Sequence, residues 1–213
     1  MTTTQSNKET KDWTQLASEE AIEKTISSLK SNGINAVLAE NREDARNKAL
    51  SLIPKGAEIM TMTSVTLDAL GISKEINESG NYNPVRDKLY SMNRETQKKE
   101  MKTLGSSPEY VIGSVHAVTE DGKIMVVSAT GSQLPAYVYG SNNVIFVVGT
   151  QKIVENIDQG MKRIYEHTLP LESERAKKAY GVPGSFVSKI LIINKEIDPN
   201  RINLIFVPEA IGF

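Results

Sequence analysis

The stretch Thr119–Thr150, TEDGKIMVVSATGSQLPAYVYGSNNVIFVVGT, most limits what this chain can fold into. It opens with an acidic turn, Glu120-Asp121-Gly122, in which Asp-Gly is strong turn chemistry because glycine tolerates positive φ. Two apolar, β-branched runs follow, Lys123–Ala129 (KIMVVSA) and Val144–Val148 (VIFVV), and both read as buried strands. Each run ends in small polar residues: Thr130-Gly131-Ser132-Gln133 after the first, Gly149-Thr150 after the second. Runs of this kind argue a parallel α/β sheet, whose ligands bind beyond the carboxyl ends of the strands. The functional cleft is expected there.

The rest of the chain alternates strand and helix. Residues 1–12 read as a flexible N-terminal tail and residues 13–213 as a single α/β domain. Trp13, Leu16, Ala17, Ile22, Ile26 and Leu29 recur at roughly helical spacing and predict a helix stopped at Asn32-Gly33, with Trp13 as a packing anchor. Ile34–Ala39 and Glu58–Met62 read as strands around a helix capped by Asn41. Ser79–Asp87 reads as a loop and Lys88–Leu104 as one charged helix. Tyr110–Val118 reads as a strand in which Gly113 marks a bulge or a close backbone approach. A helix is expected through Ile153, Ile157, Met161, Ile164 and Tyr165, then a second after Pro170. Lys189–Asn194 and Ile202–Val207 are close enough to pair as a hairpin. The pattern predicts an α/β fold: a Rossmann-like three-layer α/β/α sandwich with a mostly parallel sheet.

Composition narrows the chemistry. The 213 residues carry a formal net charge of -1, which gives no electrostatic case for nucleic-acid binding. With no cysteine, the chain has no disulfide, no thiolate nucleophile and no Cys-held zinc or iron–sulfur cluster. His116 and His167 are its two imidazoles, so no metal site is assigned. The polar start lacks the apolar core of a secretory signal and no run reaches the length of a membrane span, so a cytoplasmic location with no membrane contact is expected. Apolar helices at the chain ends are compatible with a homodimer. GxGxxG, GxxxxGK[ST] and GxSxG are all absent, and no cofactor is assigned.

Candidate site residues come from the strand ends. Thr130, Gly131, Ser132 and Gln133 can hydrogen-bond a carboxylate or phosphate that approaches the backbone closely; a satisfied turn explains the same pattern. Ser64 stands where a strand meets a helix, either as part of an anion site or simply as an N-cap. Gly149, Thr150 and Lys152 complete the expected cleft. Glu120, beside a glycine turn, is the candidate catalytic acid, base or nucleophile; an exposed turn acid is the plainer reading. His116 reads as a hydrogen-bonded core histidine or a catalytic one. Arg86 and the Glu172–Arg175 segment are not placed relative to the cleft by the sequence.

GSVHAVTEDG, SATGSQLPAYVYG and VVGTQKIV, followed by LPLESERAKKAYG, resemble the LUD-domain family, named for lactate utilisation, in its short stand-alone form. The family is similar in fold to ribose-phosphate isomerases, glucosamine-phosphate deaminases and CoA transferases. Its members work beside iron–sulfur subunits that oxidise lactate to pyruvate. The resemblance implies a cleft for a small anionic metabolite, a hydroxy acid or a phosphorylated or CoA-linked compound. It implies as an alternative a non-catalytic accessory subunit partnered by iron–sulfur lactate-oxidising proteins. Thr119-Glu120-Asp121-Gly122 is similar in form to the turn that carries the catalytic glutamate of the CoA transferases. Catalysis itself is left open.

Overall fold

The fold is described by a computed structural model for residues 11–213. Residues 1–10 of the expected tail lie outside the described residues. The first helix, α1 (Glu19–Ser31), starts where the Ser18 hydroxyl accepts the Ala21 N–H, later than the apolar spacing predicts. Trp13 sits before it, in a turn in which Asp12 accepts from the Thr14 N–H and hydroxyl, and is buried as a packing anchor.

Strands and helices then alternate. They run β1 (Asn35–Leu38), α2 (Arg42–Ser51), β2 (Glu58–Thr61), α3 (Val65–Ala69), α4 (Ile72–Glu78), β3 (Asn83–Pro84), α5 (Val85–Ser91), α6 (Lys98–Ser106) and β4 (Tyr110–Gly113). Asn41 caps α2 through the Asp44 N–H as expected. The predicted helix over Lys88–Leu104 is two helices, because the chain turns extended at Met92 and the Asn93 side chain then accepts the Glu95 and Thr96 N–H groups. The predicted loop before it contains β3 and the first turn of α5.

The second half runs β5 (Ala117–Thr119), β6 (Ile124–Ser128), a π-helical turn at Ala136–Gly140, β7 (Asn143–Gly149) and a 3₁₀ turn at Thr150–Lys152. It continues through β8 (Ile153–Val154), α7 (Ile157–Arg163), a second π-helical turn at Ile164–Thr168, α8 (Leu169–Tyr180), β9 (Lys189–Ile193) and β10 (Ile202–Val207). The helix expected from Ile153 begins instead at the Asn156 cap, after β8.

The core is a six-stranded parallel sheet in the order β1-β10-β7-β4-β2-β3. Its strands alternate faces. Val144, Phe146, Val148, Leu204 and Phe206 join one apolar core; Ile145, Val147, Ile205 and Val207 join another with Ala45, Ala49, Leu67 and Ile72 of the covering helices. Burial on both faces is why these strands read as continuous apolar runs. Helices flank the sheet, giving the Rossmann-like α/β/α architecture predicted from the sequence.

The sequence reading missed a second sheet, four-stranded, in the order β8-β5-β6-β9. The run KIMVVSA, expected in the parallel sheet like VIFVV, is β6, and it pairs antiparallel with β5 and β9. Its Ile124 and Val126 pack on the first core, while Met125 and Val127 pack with Trp13, Ala117 and Ile164. The expected final hairpin does not form. β10 is buried almost throughout and takes an interior place between β1 and β7, whereas β9 is half exposed and forms an edge of the second sheet. The predicted strand over Tyr110–Val118 is likewise split: β4 lies in one sheet and β5 in the other. Gly113 ends β4 with a close approach, since a Cβ there would fall 2.0 Å from the Tyr137 hydroxyl.

Candidate functional site

The chain crosses between the two sheets three times near one place. It does so through Ser114–His116 after β4, through Ala129–Gln133 after β6, and through Thr150–Lys152 after β7. Residues of all three crossings line a cavity of about 420 Å³, together with Thr63 and Ser64 after β2, Arg86 of α5, Thr168 of the second π-helical turn and the C-terminal Phe213. The cavity therefore lies beyond the carboxyl ends of β2, β4 and β7, at the seam where the sheets meet.

Lys152 is the most constrained of these side chains. It is only 1% exposed, and its Nζ lies 3.3 Å from Thr66 Oγ1, 3.2 Å from Ser114 Oγ and 3.2 Å from the Val115 carbonyl oxygen. All three partners are neutral. Burial, and then the charge of Arg163, hold the Lys152 amine well below the usual lysine range. Arg163 is fully buried behind it. Its Nη1 donates to the His116 carbonyl at 2.6 Å and to Thr168 Oγ1 at 3.0 Å, while Nε and Nη2 find no partner among the described residues. His116 Nδ1 accepts the Val127 N–H at 3.1 Å, and burial with the nearby charges of Lys152 and Arg163 pushes its imidazole down to about 3. His116 is thus a neutral, hydrogen-bonded wall of the cavity.

Arg86, a loop arginine in the sequence reading, is half buried in the first turn of α5. Its Nη2 donates to the Thr61 carbonyl at 2.6 Å and to Thr63 Oγ1 at 3.3 Å, and Nη1 donates to the Tyr90 hydroxyl at 3.0 Å. Across the cavity Arg175 is held bidentately by Glu172, with both contacts at 2.7 Å. Among the described residues Glu172 is the one acidic side chain on the cavity wall, and it is matched to Arg175. Among the described residues no carboxylate lies within 4.0 Å of the cationic nitrogens of Arg86, Lys152 or Arg163.

The residues singled out in the sequence divide. Ser64, Thr130, Ser132, Gln133 and Lys152 all line the cavity. Ser64 also caps α3 through the Leu67 N–H, the plainer of its two readings. Gly131, at φ +84°, turns the loop, and its N–H donates to Ser128 Oγ at 2.8 Å. Ser128 in turn donates to Gln133 Oε1, and the hydroxyls of Thr130 and Ser132 bond each other. Gly149 and Thr150 stand behind the cavity, where Gly149 leaves room for the Gln151 side chain and the Glu209 carbonyl. Glu120 lies apart, in a smaller cavity of about 150 Å³, paired with Lys24 at 2.8 Å. Its neighbour Asp121 is tied to Lys123 and the Thr119 hydroxyl.

Sequence reasoning missed Ser114 and Arg163. Arg163 adjoins Ile164 in a helix whose other charges face water, so its burial has no local signature. The signal for Ser114 was Gly113 before it, which marks the point where the chain leaves the parallel sheet. Among the described residues no group of three or more His, Asp or Glu side chains converges as a metal site, and no helix is long and apolar enough to cross a membrane.

Comparisons with known proteins agree with this fold. The structure of a DUF162-family protein from Deinococcus radiodurans superposes with a TM-score of 0.55 at 11% identity, covering 91% of this chain and 99% of that one. At that identity the likeness concerns the fold alone. No curated protein matches the sequence. Residues 22–207 match the LUD domain, a span that contains the two sheets and all of the cavity wall except Phe213. The chain belongs to the LUD-domain family.

Proposed function

We propose that the cavity between the sheets binds a small anionic metabolite, a hydroxy acid or a phosphorylated or CoA-linked compound, as the function of this lactate-utilisation-family protein. One observation carries the reading: Arg86 on the cavity wall has its nitrogens on neutral oxygens, and no carboxylate neutralises it among the described residues. A guanidinium stays charged in any protein setting, so a half-buried one without an acid favours an anion that enters beside it. The hydroxyls of Thr63, Ser64, Thr130 and Ser132 supply neutral hydrogen bonds around that anion. Glu120 has no part in this reading.

Thermal unfolding across lactate, pyruvate, sugar phosphates, CoA esters and nucleotides tests it. A ligand at about 100 times its dissociation constant stabilises by about 2.7 kcal/mol, which raises the midpoint by a few degrees in a chain of this size. A selective rise names the ligand class. No rise with any compound contradicts metabolite binding and turns the search to protein partners, including iron–sulfur lactate-oxidising subunits to which this cysteine-free chain would be an accessory.

A further inference from the structure

We propose that Lys152 is an amine nucleophile that captures a small carbonyl compound bearing a carboxylate or phosphate, forming an imine at the inner end of the cavity. The inference rests on the anion-binding reading above and specifies its chemistry. It stands on the hydrogen-bond geometry around Nζ. Thr66 Oγ1 gives its own proton to the Ile211 carbonyl at 3.3 Å, which leaves that oxygen as an acceptor toward Lys152. The Val115 carbonyl can only accept. Those two oxygens take the two hydrogens of a neutral amine. The third neighbour, the Ser114 hydroxyl, has no other partner among the described residues, so its proton is available to the nitrogen lone pair. A neutral amine is therefore fully matched here. An ammonium would be matched in hydrogen bonds but would leave a buried charge without a carboxylate, beside a second buried cation.

The placement suits covalent capture. Ser114 is partly exposed and lies on the cavity wall, so the lone pair and the serine hydroxyl that meets it are on the side from which a ligand arrives. Arg86 and Lys152 are anchored on one short segment, Arg86 at Thr61 and Thr63 and Lys152 at Thr66. An anionic group held by the guanidinium then brings a carbonyl on the same small molecule toward the amine. The step is balanced without an oxidant or reductant. The nitrogen lone pair attacks the carbonyl carbon and the carbonyl π pair moves to oxygen. That oxygen takes the first proton the nitrogen gives up, relayed by the Ser114 hydroxyl, and a carbinolamine results. The nitrogen then gives up its second proton to the same oxygen by the same relay, closing the C=N bond as the oxygen leaves as water.

Reductive trapping tests this on the whole chain. The protein is incubated at pH 7 with cyanoborohydride and either pyruvate or dihydroxyacetone phosphate, with acetone as the uncharged control, and the adduct is located by peptide mass mapping. The expected result is one dominant adduct at Lys152, at least about tenfold above any exposed lysine, since the neutral amine is the nucleophile and the bound anion holds the carbonyl beside it. Adduct with pyruvate alone assigns a carboxylate, with dihydroxyacetone phosphate alone a phosphate, and with both a general anionic carbonyl. In Lys152→Arg, checked for folding by its melting curve, the dominant adduct disappears. Adducts confined to exposed lysines, equal labelling by acetone, or no adduct overturn the proposal. A thermal shift by pyruvate or dihydroxyacetone phosphate without an adduct at Lys152 overturns the amine's role and leaves anion binding standing; no shift and no adduct defeats both.

Discussion

Two charged regions of this molecule treat their ions in opposite ways. At the turn after β5, every charge is answered within the chain: Glu120 by Lys24, Asp121 by Lys123. Deeper, Arg201 and Glu196 form a matched pair at 2.7 Å, with Arg201 also donating to the carbonyls of Ser141, Ala136 and Tyr137. At the cavity, Arg86 and Arg163 rest on neutral oxygens with no acid within reach among the described residues. An answered charge holds structure together and has little left for a ligand. An unanswered one costs stability unless something from outside completes it. The contrast is the ground for proposing a ligand site in the seam between the sheets and not at the conspicuous acidic turn.

The largest effect that can break this contrast is on stability. Arg201→Met strands Glu196 and three carbonyls, and should cost about 3–5 kcal/mol in denaturant unfolding. The same change at the cavity, Arg86→Met, should leave stability within about 1 kcal/mol of the parent, because it removes a charge that no acid neutralises among the described residues. It should instead weaken binding of the anionic ligand by about 1.5–3 kcal/mol, roughly ten- to a hundredfold by calorimetric titration. If both variants lose equal stability, the distinction between structural and functional cations fails.

Acid sharpens the comparison. His116 is held neutral at the cavity, with its folded pKa near 3 against 6.5 unfolded. Between those values the unfolded chain binds the extra proton, so stability rises with pH and is lost as pH falls from about 6.5 toward 3. The slope is about 1.4 kcal/mol per pH unit within that window. In His116→Gln, whose side-chain oxygen can still accept the Val127 N–H, this component of the slope should vanish. An unchanged slope would mean that other groups govern acid unfolding.

The smallest effect is expected at the turn. The Lys24–Glu120 pair is 62% and 21% exposed, so Glu120→Gln should change stability by under about 1 kcal/mol and leave ligand affinity unchanged. The sequence expectation of a catalytic Glu120 requires the opposite, a loss of turnover with the fold intact. One variant therefore separates the two accounts.

The parallel core was legible because β7 and β10 are buried on both faces and carry apolar residues at nearly every position. The second sheet was not. A strand covered on both sides, such as β6, has the same composition whether its neighbours run parallel or antiparallel. The supposed terminal hairpin failed for a related reason: proximity in sequence favours pairing, but the doubly buried β10 needed an interior place. At the site, the hydroxyl-rich strand ends and Lys152 could be read from their position after apolar runs. Arg86 and Arg163 could not, since basic residues on helical segments ordinarily face water. Their burial is a property of packing between distant segments.

The most direct measurement is a crystal structure of the protein saturated with the anion that stabilises it most. The account predicts the anionic group in the seam between the sheets, within hydrogen-bond distance of the Arg86 guanidinium. An anion bound instead beside Lys24 and Glu120, or a seam left empty at saturation, would contradict it.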